Sequence, residues 1–267
     1  MSSSINTNVN SINAQRNLAK TGLSLSVAME RLSSGMRVNG AKDDAAGLAI
    51  SERMDAQTRG MNVAIRNAND AISLASTAEG ALAGITQNLQ RMRELAVQAA
   101  NGTNTATDIT SISAEYKLLK DENDRVVLNT KFNNTAVLAA ATFTFQVGAN
   151  ATADNQITVT ATAPTFTNAG ALTAGTALAE ITAVQADIDT VTTLRGTWGG
   201  NQNVFETVIS NLRVGAENSA AARGRIVDAD YAQETANLTR SQVLQQAGTA
   251  MVAQANQGPN GVLALLR

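Results

Sequence analysis

Residues 61–99 read MNVAIRNANDAISLASTAEGALAGITQNLQRMRELAVQA. Within them Met61, Ile65, Ala68, Ile72, Ala75, Ala78, Leu82, Ile85, Leu89, Met92, Ala96 and Ala99 recur at gaps of three or four, the spacing of a single helix face. No proline interrupts the run, and Asn101-Gly102 supplies a stop signal. At about 1.5 Å per residue such a helix extends roughly 60 Å. A stripe of that length has to be covered by other segments, and the rest of the chain is read for those partners.

The composition suits thin helix packing. Of 267 residues 44% are hydrophobic, yet only 3% are aromatic, and alanine is abundant. The formal net charge is −2 with basic residues scattered among acids, so no basic groove for nucleic acid is expected. The sequence has no cysteine and no histidine, which excludes disulfides, thiolate nucleophiles, imidazole bases and the usual transition-metal sites. A hydrolase or transferase built on the bundle would have only carboxylates and lysine to work with, so no catalytic residue, cofactor or metal is assigned. Residues 1–13 lack the basic and apolar regions of a secretory signal peptide, and no stretch reaches membrane-spanning length.

The opening arm, Ser2 to Leu32, carries Ile5 and Ile12 seven apart, then Leu18, Leu25 and Leu32 seven apart, on an otherwise polar helix. This is either an ordinary surface helix or a seam for another chain. Residues 33–44, SSGMRVNGAKDD, break the pattern. Asp43-Asp44 ahead of AAGLAI reads as a helix start, with a divalent-cation pair as the weaker reading. Beyond the long stripe, Ser113 to Leu128 is a second amphipathic segment, expected to pack antiparallel on its end. Phe143, Phe145 and Val147, then Ile157, Val159 and Ala161, alternate with polar residues across a turn-like stretch and predict a β-hairpin. Thr162 to Thr176 is poor in bulky side chains and is expected to bury little.

Helical spacing resumes at Leu178, Ile181, Val184, Ile188, Val191 and Leu194. GTWGGN at 196–201 lacks the Lys-Ser or Lys-Thr and the preceding strand of a phosphate-binding loop, so a helix irregularity is expected there. Val204, Val208, Ile209 and Leu212 restore the pattern. In the closing arm Leu244, Ala247, Met251 and Ala255 lie along one side. Gly258-Pro259 is expected to interrupt it before Val262, Leu263, Leu265 and Leu266. Both arms carry apolar seams without an evident cover.

These words resemble those of the bacterial flagellins. INTNVNSINAQRNL (5–18), RLSSGMRVNGAKDDAAGLAI (31–50), RNANDAIS (66–73) and LQRMRELAVQAANGT (89–103) are similar to the family's N-terminal pattern. ISNLRVGAENSAAARGRIVDADYA (209–232) and LTRSQVLQQAGTAMVAQANQ (238–257) are similar to its C-terminal pattern, and FQVGAN resembles its hairpin. The glycine-rich GTWGGN departs from it, and the centre is short. Without histidine, this centre cannot hold the zinc protease that some relatives carry there.

The resemblance implies a mainly α protein, a long antiparallel helical bundle or coiled coil with a small β-hairpin. Its expected segments are an N-terminal arm (1–44), the two halves of a rod-like middle domain (45–140 and 178–235), a hairpin with a short variable loop (141–177) and a C-terminal arm (236–267). It implies a filament subunit whose main partner is itself, located in the extracellular flagellum. A hook–filament junction protein is the alternative. An export apparatus, a cytoplasmic export chaperone, cap and junction proteins and host pattern-recognition receptors are further implied partners, with no nucleic acid and no membrane insertion. Ile5, Ile12, Leu18, Leu25, Leu32, Leu244, Met251, Val262, Leu265 and Leu266 are the expected assembly seams. Residues 30–51 are similar to a segment that a plant receptor kinase detects. Arg91, Leu95 and Glu115 match the vertebrate toll-like receptor site, where Leu95 would be an apolar anchor between two charges.

Overall fold

A computed structural model of the chain describes residues 7–264, with side chains described through residue 257. The described elements are α1 (Val9–Ser34), α2 (Ala45–Ala99), α3 (Ala106–Asn129), β1 (Lys131–Phe132), β2 (Thr135–Ala136), β3 (Ala141–Gln146), β4 (Gln156–Ala161), α4 (Ala177–Val227) and α5 (Tyr231–Ala264). They fall into two units, one of Met1–Ala56 with Asn218–Arg267 and one of Gln57–Glu217. The mainly α architecture with small antiparallel strand pairs is the one expected.

Local chemistry starts and stops the helices. Asn8 caps α1 by accepting from the Ser11 amide at 3.1 Å, and Gly35 ends it at φ 70°, a left-handed conformation that costs glycine nothing. Asp44 Oδ1 accepts the Gly47 amide at 2.8 Å and caps α2. Asp43 does something else: its Oδ2 accepts the Asn39 and Gly40 amides and closes the preceding loop. Only the second of the two acids is therefore a cap. Helix α3 begins earlier than its apolar pattern suggests, because Thr105 and Asp108 form a capping box. The Thr105 hydroxyl and amide hold the Asp108 carboxyl below its usual pKa.

The core of residues 57–217 is the face read from residues 61–99. Ala68, Ala75, Ala78, Leu82, Ile85, Leu89, Met92, Ala96 and Ala99 are buried in one cluster with Ile112 and Tyr116 of α3 and Val184, Val191, Trp198 and Phe205 of α4. Asn88 of α2 donates to Asn123 of α3, and Arg195 of α4 reaches Glu79 of α2. In the hairpin β3 and β4 pair antiparallel, with Phe143 opposite Val159 and Phe145 opposite Ile157. Phe145 meets Phe205 edge to face at 5.4 Å, tying the hairpin to α4. A second, two-residue pairing of β1 with β2 turns on Asn133 and Asn134, both at positive φ, the geometry of a tight type I′ turn.

Several expectations are corrected. GTWGGN does not disturb α4, which runs unbroken from Ala177 to Val227. Trp198 plugs into the core while a Cβ at Gly196, Gly199 or Gly200 would meet no described atom within 4 Å, so packing on one face outweighs the poor helix propensity of the other. Gly258-Pro259 does not end α5, whose backbone is helical to Ala264. Leu178 is exposed, and Ala177 takes the buried place at the start of α4. Residues 162–176 are not featureless, since Asn168 and Leu172 are buried.

Candidate assembly faces and the Arg91 patch

Within the unit containing both terminal helices, α1 and α5 lie antiparallel. Asn8 Nδ2 donates to the Ala255 carbonyl at 2.7 Å and Ser11 Oγ to Asn256 Oδ1 at 2.7 Å. At the other end of the pair, Arg31 meets Glu234 at 3.0 Å and the Tyr231 hydroxyl donates to the Leu32 carbonyl at 2.7 Å. The seam between these ends is thin. Ser11, Ala28, Ser241 and the Arg31-paired Glu234 are its buried members, and a Cβ at Gly248 would stand 3.0 Å from Leu18 Cδ1. The arms therefore cover one another on one side only, which the reading of both as uncovered did not include. Small residues carry much of the contact, and these do not register as an apolar pattern.

The seam residues read from the sequence divide into two groups. Leu18, Leu25 and Leu32 are half-buried in the α1–α5 pair. Ile12, Leu244 and Met251 are turned outward, 56%, 51% and 63% exposed, together with Val9, Leu23, Val27 and Val243. Leu23, Val27 and Leu244 line an open groove of about 550 Å³ whose other lining residues include Ala28, Ser241, Lys20 and Arg240. Ile5, Leu265 and Leu266 lie outside the described residues, as does the side chain of Val262.

The second expected site is half assembled. Arg91 on α2 donates through Nε to Glu115 Oε1 on α3 at 2.9 Å and through Nη1 to Glu94 at 3.0 Å. The hydrogen bonds to Glu94 and then Glu115 raise the guanidinium above its ordinary pKa. Leu95 is not part of this surface: it is 1% exposed and belongs to the core cluster of Met92, Ala96, Ile112 and Tyr116. Four residues on from Arg91 the helix has turned just far enough to aim inward.

A third group was missed from the sequence. On α4, Glu180 and Asp187 are buried among Val184 and Val191. Asp187 accepts from the Thr167 amide and hydroxyl and from the Asn168 amide and side chain, at 2.7–3.3 Å. Glu180 accepts from the Tyr116 hydroxyl at 2.8 Å and the Ala169 amide at 3.2 Å. The signal was available: 180, 184, 187 and 191 are spaced four, three and four, placing two acids on an apolar face. Such acids persist only when hydrogen-bonded. Here they strap residues 167–169 to the helix. Among the described residues no cluster of acids could hold a metal ion, and no helix is long and apolar enough to cross a membrane.

Terminal helices that pair thinly and keep large apolar side chains outward define a structural, self-associating class of protein. Residues 5–142 match the bacterial flagellin N-terminal helical region and residues 181–266 the bacterial flagellin C-terminal helical region. A flagellin of Halalkalibacterium halodurans is 44% identical over 98% of this chain and 99% of its own. For a flagellin of Bacillus subtilis the values are 39%, 98% and 99%. They are the same for the flagellar filament 33 kDa core protein of Treponema phagedenis. The crystal structure of Bacillus cereus flagellin is similar at a TM-score of 0.50 and 36% identity, covering 59% of this chain and 94% of that one. The chain belongs to the bacterial flagellin family. It is a structural subunit of the extracellular flagellar filament, and the relatives named above are flagellins and a filament core protein rather than junction proteins.

Proposed function

We infer that the subunit polymerises through the outward side of its α1–α5 pair. Ile12, Leu244 and Met251, with the Leu23–Val27 wall of the groove, would be covered by further copies of this chain. The single observation that supports this is their exposure in the isolated subunit: large apolar side chains on two packed helices have no cover from their own chain. Each Leu, Ile or Met withdrawn from water contributes about 1.5–3 kcal/mol, which polymerisation alone would make available. Contacts between unlike surfaces that do not close into a ring propagate as an open helix, the form of a filament.

The test is a pair of variants, Leu244→Asp with Met251→Asp, and a truncation of residues 242–267. The expected result is loss of filaments in sedimentation and electron microscopy, with the thermal transition of residues 57–217 unchanged. Filaments of normal length from either variant would overturn the reading. The export apparatus, cytoplasmic chaperone, cap and junction partners belong to the same reading, because a chain with exposed seams needs escort before it assembles. Arg91 and Glu115, joined by Glu94, are the surface proposed for the vertebrate receptor.

A further inference from the structure

Asn-Gly occurs at 39–40, 101–102 and 260–261. The side chains of the last pair lie outside those described. An asparagine followed by glycine can react with its own backbone. The glycine nitrogen attacks the side-chain Cγ, a C–N bond closes a succinimide, and the amide nitrogen leaves as ammonia while the backbone N–H proton passes to solvent. Water then opens the ring at either carbonyl, giving aspartate or isoaspartate, with no change of oxidation state. Glycine permits this because no Cβ crowds the closing ring.

The two described pairs differ in how far the fold holds the reacting groups. At Asn39 the leaving amide Nδ2 donates to Glu30 Oε1 at 2.8 Å, and the attacking Gly40 nitrogen donates to Asp43 Oδ2 at 3.1 Å. Both partners of the reaction are tied. At Asn101 both residues are exposed, and a Cβ on Gly102 would meet no described atom within 4 Å. The Gly102 amide has no hydrogen-bond partner among the described residues, whereas the turn is closed by the Asn104 amide on the Asn101 carbonyl at 3.2 Å. Within that turn the Thr103 amide points at Asn101 Oδ1 at 3.4 Å. This folds the side chain back over the peptide that carries the attacking nitrogen, with a weak donor on the oxygen that gains charge.

We propose that Asn101 is a site of spontaneous deamidation, forming aspartate and isoaspartate in the α2–α3 turn, and that Asn39 is protected by Glu30 and Asp43. The product sets a carboxylate at the C-terminal end of α2, where the free carbonyls already make the potential negative. Isoaspartate also lengthens the backbone of the turn by one methylene.

Two hydrogen bonds must break at Asn39 that do not exist at Asn101, which corresponds to a rate difference of roughly tenfold. The experiment ages full-length monomer in mildly alkaline buffer and follows two tryptic peptides, Val38 to Lys42 and Glu94 to Lys117, by mass spectrometry with fragmentation to assign the site. A chain aged in denaturant serves as the reference. The expected result is conversion at Asn101 about tenfold faster than at Asn39 in the folded chain, with the two rates converging in denaturant and Gly102→Ala suppressing conversion at Asn101. Equal rates in the folded chain, faster conversion at Asn39, or an undiminished ratio in denaturant would each overturn the proposal.

Discussion

The Tyr116 phenol on α3 donates a 2.8 Å hydrogen bond to Glu180 on α4 inside the unit formed by residues 57–217. Burial, and then this bond to a carboxylate, push the phenol well above its ordinary pKa. Below about pH 10 the phenol is protonated whether the chain is folded or not. Above it the unfolded chain releases the proton while the folded one retains it, so stability falls as pH rises. Tyr116→Phe is expected to flatten that alkaline slope and to lower stability at neutral pH by ~1–3 kcal/mol, since Glu180 stays buried with one donor fewer. Denaturant melts at neutral and alkaline pH measure both effects.

Asp187→Ala should release the strap. Asp187 is 1% exposed and accepts from the amides and side chains of Thr167 and Asn168, and besides these the Thr167 hydroxyl reaches the Ala183 carbonyl of α4, 3.3 Å away. Removing it leaves buried amide donors unpaired, which destabilises by at least ~2 kcal/mol. Limited proteolysis should cut the variant between residues 163 and 176 under conditions that leave the parent chain whole. Unchanged cleavage would mean that buried Leu172 and the Ala169–Glu180 bond hold the segment without Asp187.

Arg91 and Leu95 separate surface from core. Leu95→Ala opens a cavity beside Met92 and Tyr116, and a loss of ~2–5 kcal/mol is expected. Arg91→Ala removes half-exposed ion pairs to Glu94 and Glu115, which water screens, and should leave stability nearly unchanged. If the receptor surface is the one proposed, Arg91→Ala weakens monomer-driven signalling at matched protein amounts. Leu95→Ala would then weaken it only to the extent that it unfolds, a difference that signalling assays run beside thermal melts will read.

Gly248→Val is expected to unpair α1 from α5. Even the first added carbon would stand 3.0 Å from Leu18, and the branch beyond it has to displace that side chain. Circular dichroism should lose helix, and hydrogen exchange in 9–34 and 231–257 should accelerate, with residues 57–217 unaffected.

What could be read from the residues follows their size and spacing. The Met61–Ala99 face and the β3–β4 hairpin were recoverable because apolar residues mark them at periods near 3.6 and 2. The β1–β2 turn was not, because two-residue strands cannot show alternation. Leu95 was placed in a surface patch by resemblance, whereas the fold turns it into the core. Glu180 and Asp187 were passed over as ordinary charges, although their spacing with Val184 and Val191 put them on the inner face. The α1–α5 seam hid for the opposite reason: Ser11, Ala28, Ser241 and Gly248 pack closely without looking apolar.

That small-residue seam also sets how readily the pair comes apart. Serine, alanine and glycine withdraw little apolar area from water, so closing the two helices on each other gains only a fraction of what a leucine zipper would. A pairing this shallow is expected to open at lower cost than the core of residues 57–217, a difference that hydrogen exchange would read. Under the assembly reading proposed above, these are the helices that would part and exchange partners when a neighbouring copy arrives.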